Sequence, residues 1–371
     1  MSVLQFMTKV HFGHGLRSAL PAEMEALNVR RPLIVTDRGV IAAGVLAQAT
    51  ESLGRDAARA IFDATPPNPT EEAAERGAAA YAEGGCDGIL GIGGGAALDL
   101  AKAIAVLRSD PVPLWAYCNR HANPHPIVNP PPLILMPTTS GSGSEVGRSA
   151  VVIFRNGIKA GIRCPTIVSA AICDPDLTSG LPPGITAATG MDALSHCVET
   201  YCSSAINPPA DAIVLDGMQR VVRSIEVAFA RGADQGARWN MMMGALEGAI
   251  GFQKGMGAVH ALSHPLGALG HHHGTLNAIL LPHVLAYNAQ WLGEKFAVMR
   301  RVVGAAPGAD LPLAFAQLNL RLGLPQRLRE LGIAKTVLPK VAVDALEDNA
   351  HKTNPRPLDR QDYAALLDTA Y

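Results

Sequence analysis

Clusters of basic residues are lacking in this chain, which has 31 lysines and arginines, 32 acidic residues and a net charge of −1 at pH 7. Proteins that bind nucleic acid typically carry a basic patch or stripe, so the charge pattern gives no sign of such a partner. Long hydrophobic runs are also lacking, and the first residues do not have the basic-then-apolar layout of a signal peptide. We therefore expect no nucleic-acid or membrane partner and a cytoplasmic location.

Cysteine pairs at a metal-binding spacing are also missing, although the chain has six cysteines. A chain of 371 residues buries enough apolar surface to fold without disulfides, so we expect reduced thiols. Aromatic residues make up only 5% of the sequence, whereas glycine occurs 37 times. This composition favours closely packed helices and glycine loops, and the length predicts two domains.

Apolar runs alternate with helical patterns in the first half of the chain. The predicted strands and helices cover residues 31–37, 40–53, 60–62, 71–83, 88–92, 96–107 and 133–136. Such alternation is typical of a parallel sheet covered by helices, and Thr70 is the predicted N-cap of the second helix. Helical patterns dominate after residue 181, so we predict an α/β domain over residues 1–181 and an all-α domain over residues 182–371.

Two loops rich in glycine and hydroxyl groups follow predicted strands. The first is Gly91-Ile-Gly-Gly-Gly-Ala-Ala-Leu-Asp99, and the second is Pro137-Thr-Thr-Ser-Gly-Ser-Gly-Ser-Glu145. Glycine allows a phosphate to approach the backbone, and a following helix presents free N–H groups to it. The two loops predict a binding site for a pyrophosphate. The alternative interpretation is that the glycines are needed only for tight turns between strand and helix. The order of motifs differs from an ordinary Rossmann domain, because the acid best placed for a ribose, Asp37, comes before the first loop.

Histidines and one aspartate recur at helical spacing in the second half. Asp192 and His196 are four residues apart, as are His260 and His264, and a histidine triplet occupies residues 271–273. Residues four apart share one face of a helix, whereas an isolated histidine in a helix is usually a core residue. One carboxylate with several imidazoles suits Fe²⁺ or Zn²⁺, so the pattern predicts a divalent metal site.

With these motifs in place, the chain resembles the iron-containing alcohol dehydrogenase family along nearly its whole length. The matching stretches are Gly-Gly-Gly-Ala-Ala-Leu-Asp99, Pro-Thr-Thr-Ser-Gly-Ser-Gly-Ser-Glu145, Thr-Gly-Met-Asp-Ala-Leu-Ser-His196, His-Ala-Leu-Ser-His-Pro-Leu-Gly267 and His-Gly-Thr-Leu-Asn-Ala-Ile-Leu-Leu-Pro-His283. The resemblance implies an N-terminal dinucleotide-binding domain and a helical C-terminal domain, a dehydroquinate synthase-like fold. It also implies that Asp192, His196, His260 and His273 ligate Fe²⁺, or Zn²⁺ as the alternative. His264 matches a further active-site histidine, which relays a proton or supports a ligand.

The resemblance also implies the cofactor. Asp37 matches a strand-end acid that binds the adenosine ribose, and a carboxylate there repels a 2′-phosphate, so we expect NAD(H) rather than NADP(H). The other matched cofactor positions are Asn68, Gly94, Gly95, Asp99, Thr138, Thr139, Ser142 and Lys159.

Four further segments limit the range of expected substrates. They are residues 207–211, 252–255, 272–277 and 351–355. They resemble family members that interconvert 4-hydroxybutyrate and succinate semialdehyde, although a short insertion before His271 is lacking. Such a substrate needs a cation for its far carboxylate, and the candidates are Arg148 and Lys254. The alternatives are a short-chain alcohol dehydrogenase, a phosphonoacetaldehyde-type reductase, a maleylacetate reductase and, more remotely, a metal-dependent hydrolase that would leave both glycine loops unused. We expect a homodimer or a larger homo-oligomer.

Overall fold

The computed structural model describes residues 8–54, 59–110 and 112–371. These residues divide into two compact units. The described part of the first unit runs over residues 8–139 and 143–180, and the second comprises residues 140–142 and 181–371. None of the described helices combines the length and apolar character that crossing a lipid bilayer requires.

The first unit contains all eight described strands and five α-helices. The strands are β1 (Lys9–Phe12), β2 (Pro32–Val35), β3 (Ala60–Phe62), β4 (Gly88–Gly93), β5 (Leu133–Pro137), β6 (Ser149–Ile153), β7 (Lys159–Arg163) and β8 (Ala170–Cys173). The helices are α1 (Leu20–Ala26), α2 (Arg38–Ala42), α3 (Val45–Ala49), α4 (Glu71–Glu83) and α5 (Gly95–Leu107).

Six of these strands form one sheet in the order β1-β8-β5-β4-β2-β3, and every neighbouring pair is parallel. Alternate residues of a strand point to opposite faces, and both faces are apolar here. Leu33 and Val35 of β2 pack in a core with residues of α4 and α5, whereas Ile34 packs with residues of α1 and α3. The predicted parallel sheet with helices on its faces is therefore confirmed.

One predicted helix is wrong in its extent. The pattern at residues 40–53 indicated a single helix, but the structure has α2 and α3 there, followed by a short 3₁₀ turn. The break lies at Gly44, whose φ of 74° is a left-handed conformation that glycine adopts readily. The predicted N-cap is confirmed, because the Thr70 side chain accepts a hydrogen bond from the Ala73 N–H at 3.1 Å.

β1, β8 and the β6–β7 hairpin were not predicted from the sequence. β6 and β7 pair antiparallel outside the main sheet, and Asn156-Gly157 lies in the turn between them. An Asn-Gly pair between two apolar runs is a strong hairpin signal. This hairpin could therefore have been predicted from the sequence.

The second unit is helical, as predicted for this half of the chain. Its α-helices are α6 (Pro183–Cys202), α7 (Pro208–Ala230), α8 (Gln235–Gly251), α9 (Ala258–Ala268), α10 (His273–Leu292), α11 (Glu294–Val302), α12 (Leu311–Arg321), α13 (Leu338–Leu346) and α14 (Arg360–Ala370).

Helix α6 lies at the centre of this unit, packed against α7, α8 and α10, and most of its residues are buried. Small residues bring these helices close together. A Cβ on Gly190 of α6 would lie 2.7 Å from side-chain atoms of both Ile225 and Met241. Two potential metal ligands thus lie on the most enclosed helix of the unit.

Candidate active site

Three helices of the second unit bring four potential metal ligands together. Asp192 and His196 lie one turn apart on α6, His260 lies on α9, and His273 is the first residue of α10. One donor atom from each of the four lies within 4.8 Å of the others. Asp192 Oδ1 is 3.6 Å from His196 Nε2 and 3.7 Å from His273 Nε2, too far for hydrogen bonds.

These distances fit shared ligands of one ion. Two atoms that each lie about 2.1 Å from a tetrahedral ion are separated by roughly 3.4 Å, close to the observed values. Burial lowers the pKa of His196 to about 3, which keeps its imidazole neutral, the form that binds metals. Asp192 is only 5% exposed and His260 only 1%. The donor set and its burial therefore fit a divalent metal.

The histidine triplet contributes one member to this group. His273 belongs to it, whereas exposed His272 is the N-cap of α10 and accepts from the Thr275 N–H. Spacing alone left the choice within the triplet open, because the start of α10 decides which ring lies beside Asp192.

Glu199 of α6 is a partner of this group that the sequence pattern did not indicate. Its Oε2 lies 2.5 Å from His260 Nδ1, and its Oε1 accepts a hydrogen bond from the Val259 N–H at 2.7 Å. Burial lowers the pKa of His260, but the hydrogen bond and charge of Glu199 outweigh it, so the net shift is upward.

Asn277 and Asp348 are two further residues that the sequence did not single out. The Asn277 side-chain amide on α10 donates to Asp192 Oδ1 at 2.7 Å. Asp348 precedes a 3₁₀ helix, and its Oδ2 lies 2.8 Å from His264 Nδ1. The His264 ring stacks on that of His273 with 5.5 Å between centroids, so this histidine lies beside the ligand group.

In the first unit, the predicted cofactor residues follow three neighbouring strands. Asp37 follows β2, Gly94 and Gly95 follow β4, and Thr138 and Thr139 follow β5. Carboxyl ends of parallel strands meet at one edge of a sheet, which is where nucleotides bind in such folds. Asp37 is also the N-cap of α2, because its Oδ1 accepts from the Val40 N–H at 2.9 Å.

The loop after β4 leaves the backbone N–H groups at the start of α5 without a side-chain cap. Its N-cap, Gly94, offers no side-chain cap, so the first N–H groups of the helix are available to an anion. A Cβ on Gly94 would come within 3.3 Å of Thr139 Cγ2, so the two glycine- and hydroxyl-rich loops adjoin. This arrangement fits a pyrophosphate.

The remaining predicted cofactor residues have other contacts as well. Lys159 donates to the Asn68 side-chain oxygen at 2.8 Å. Asp99 accepts from Ser144 Oγ at 2.5 Å and thereby anchors the loop after β5 to α5. Ser142 lies in the 140–142 segment, which belongs to the second unit.

The two candidate cations for a substrate carboxylate differ in their surroundings. Lys254 is 2% exposed, and its Nζ donates to the Asp211 carboxylate and to the carbonyl of Tyr201. Those contacts indicate a structural ion pair near the end of α6. Arg148 is partly exposed, and burial together with the nearby Arg163 lowers its pKa.

Comparisons with known proteins agree with this arrangement. The family model for iron-containing alcohol dehydrogenases matches residues 7–175, and the model for the C-terminal part of the same family matches residues 186–371. The chain belongs to the iron-containing alcohol dehydrogenase family. Its predicted family is confirmed, and the chain is an oxidoreductase.

Individual relatives cover the whole chain. It is 45% identical to 4-hydroxybutyrate dehydrogenase of Cupriavidus necator, over 99% of both chains. It is 33% identical to lactaldehyde reductase of Escherichia coli K12, over 97% of both. Among solved structures, a 1,3-propanediol oxidoreductase superposes with a TM-score of 0.93 at 33% identity over 100% of both chains. The fold of this chain is therefore that of its family.

Proposed function

We propose that this protein is a metal-dependent, NAD(H)-linked dehydrogenase that interconverts 4-hydroxybutyrate and succinate semialdehyde. The observation that carries the proposal is the convergence of donor atoms from Asp192, His196, His260 and His273 within 4.8 Å. The similarity to a 4-hydroxybutyrate dehydrogenase at 45% identity supports the substrate.

The four converging side chains would hold the metal. One carboxylate and three imidazoles suit Fe²⁺, with Zn²⁺ as the alternative. A bound divalent ion supplies Lewis-acid polarisation of the substrate oxygen. Asn277 holds the Asp192 carboxylate in place by its hydrogen bond, which restricts the orientation of that ligand.

His264 would move the proton that the reaction releases or consumes. Its Nδ1 faces Asp348, which leaves Nε2 as the ring atom able to exchange a proton with the substrate or with water. Oxidation of the alcohol yields the aldehyde, NADH and one proton, and the reduction consumes the same species. A side chain that accepts or returns the proton is therefore required in both directions.

The loops at the carboxyl ends of β2, β4 and β5 would bind the dinucleotide. The start of α5 and the adjoining Thr139 would hold the pyrophosphate, and Asp37 would accept hydrogen bonds from the adenosine ribose. A bound nicotinamide supplies the hydride acceptor or donor. The Asp37 charge disfavours a 2′-phosphate, so NAD(H) is the proposed cofactor.

The substrate carboxylate would pair with Arg148, whose side chain is partly exposed, rather than with Lys254, which is only 2% exposed. A second candidate substrate class is short-chain aldehydes without a carboxylate. It is favoured by the similarity to a lactaldehyde reductase and to a 1,3-propanediol oxidoreductase, each at 33% identity. A cytoplasmic location and a homodimeric or larger assembly stay predictions.

The test is NADH oxidation by the purified protein, supplied with Fe²⁺ or Zn²⁺, across a panel of aldehydes. We expect the highest kcat/KM with succinate semialdehyde, compared with butanal, lactaldehyde and phosphonoacetaldehyde. A higher value for an uncharged aldehyde would reject 4-hydroxybutyrate as the substrate while retaining the dehydrogenase activity. Failure to bind NADH would reject the proposed function itself.

A further inference from the structure

We propose that Glu199 is a positioning residue that fixes the ring tautomer and orientation of His260 for metal binding. The inference rests on the proposed function, since it concerns the same metal site. It assigns a role to a carboxylate that is 61 residues from His260 in sequence and is not one of the four converging ligands.

The geometry places each oxygen of this carboxylate on a different part of α9. Oε2 lies 2.5 Å from His260 Nδ1, and Oε1 accepts a hydrogen bond from the Val259 N–H at 2.7 Å. Glu199 and His260 are 4% and 1% exposed. Water therefore competes little for these contacts, and hydrogen bonds are stronger in such buried surroundings than in water.

The start of α9 is built so that Glu199 can reach it. Its N-cap is Gly257, which has no side chain to cap the helix, and a Cβ there would lie 2.9 Å from Glu199 Oε1 and 2.8 Å from Asn354 Oδ1. Asn354 in turn accepts from the Ala258 N–H at 3.1 Å. Two distant side chains thus satisfy N–H groups that a helix start otherwise leaves unpaired.

The consequence for His260 follows from the chemistry of imidazole. A carboxylate oxygen accepts hydrogen bonds, and Glu199 Oε2 lies 2.5 Å from Nδ1 of His260, so this contact favours a proton on Nδ1. In the neutral ring, Nε2 then carries the lone pair. Nε2 is also the atom on the side of the ligand group, since it lies 3.1 Å from the Asn277 amide that contacts Asp192.

The substitution Glu199→Gln separates this role from helix capping. The glutamine oxygen can still accept from the Val259 N–H, and its NH₂ group then faces His260 Nδ1. A donor at that position favours the tautomer with the proton on Nε2. A protonated Nε2 has no lone pair, so this atom can no longer bind the metal. A purely structural Glu199 would tolerate this nearly isosteric change without loss of metal affinity.

The experiment compares the metal affinity of metal-free wild-type protein, Glu199→Gln and the control Glu247→Gln, by Fe²⁺ and Zn²⁺ titration against a chromogenic chelator. The control makes the same change at a half-buried glutamate of α8, which burial and Asp216 keep largely protonated with a pKa of about 8. We expect Glu199→Gln to bind both metals roughly 10- to 100-fold more weakly and Glu247→Gln to bind like the wild type. Thermal unfolding of the metal-free proteins checks the fold.

Equal affinities for wild type and Glu199→Gln would overturn the inference while leaving the proposed metal site intact. Absence of metal binding by the wild type would overturn both. Should Glu199→Gln not fold, ¹⁵N NMR of metal-free wild type with labelled histidine decides the question. A proton on Nδ1 of His260 is the expected result, and a bare Nδ1 would overturn the proposal.

Discussion

His264 Nδ1 lies 2.8 Å from Asp348 Oδ2, across 84 residues of sequence. The other oxygen of Asp348 accepts from the Ala350 N–H at 2.8 Å, so the carboxylate is fixed from both sides. This contact at Nδ1 restricts rotation of the imidazole ring, so Nε2 points in one direction. This pairing gives His264, which is outside the ligand group, a defined orientation beside His273.

Replacement of His264 by asparagine should therefore affect proton transfer more than metal binding. We expect His264→Asn to lower kcat by roughly 100-fold or more, a common effect of losing a general acid–base group, with unchanged metal content. Steady-state kinetics and metal analysis measure the two effects, and His271→Asn is the control. Wild-type turnover by His264→Asn across the pH range would exclude a proton relay.

The histidine triplet permits a direct test of the ligand assignment. His273→Ala should lose most of its bound metal, because it removes one of four converging donors, whereas His271→Ala and His272→Ala should retain it. Metal content after dialysis against a weak chelator is the measurement. Loss of metal in either control, with retention in His273→Ala, would assign the ligand to a neighbouring histidine.

Asp37 should determine the choice between NAD and NADP. Asp37→Ser removes the charge but keeps a side-chain oxygen to cap α2, so the helix start should be preserved. We expect the ratio of kcat/KM for NAD over NADP to fall at least tenfold, which corresponds to about 1.4 kcal/mol. Comparable Michaelis constants for both cofactors in the wild type would contradict the assignment.

Arg148 and Lys254 should differ in their effect on substrate binding. Arg148→Met should raise KM for succinate semialdehyde roughly tenfold or more, by removing a charge-assisted hydrogen bond, without changing KM for butanal. Lys254→Met should instead lower the unfolding temperature, because it leaves Asp211 without its buried partner. Equal changes in both KM values for Arg148→Met would argue against a carboxylate-binding role.

Glu145 in the loop after β5 should make stability depend on pH. Burial raises its pKa to about 7, although the charge of Lys102 opposes the shift. The folded state therefore holds the proton more tightly than the unfolded state, and stability should decrease as pH rises from about 4.5 to about 7. The corresponding difference is on the order of 3 kcal/mol.

Glu145→Gln should remove this dependence, so that the variant is more stable than the wild type at pH 8 and similar to it at pH 5. Urea unfolding at the two pH values measures the effect, with exposed Glu25→Gln as the control. An identical slope of stability against pH in wild type and Glu145→Gln would contradict the prediction.

Local patterns predicted much of the fold. The alternation of short apolar runs and helical segments indicated β2 to β5 and α4 to α5, because each signal lies within a few consecutive residues. β1 (Lys9-Val-His-Phe12) and β8 (Ala170-Ala-Ile-Cys173) were missed because each is short and contains lysine or alanine, residues that are depleted in strands. The division of the predicted helix at residues 40–53 depends on the backbone conformation of a single glycine.

Prediction of the candidate site was likewise limited to residues that lie close together in the sequence. Asp192 and His196 are one helical turn apart, so spacing alone places them together. Glu199 and Asp348 act on histidines 61 and 84 residues away, and such pairings depend on how the helices pack. Lys254 looked suitable for a substrate because its pairing with Asp211, 43 residues earlier, is likewise a tertiary contact.

The contacts that α9 makes with Asn354 and Asp348 bear on the order in which the molecule is assembled. During synthesis the chain emerges from its N-terminus, and domains fold largely as they appear. The helix that carries His260 and His264 obtains these two partners only after residue 354 has been added. Metal loading should therefore follow synthesis of the chain through at least residue 354, and a chain terminated before Asp348 would lack both of these partners of α9.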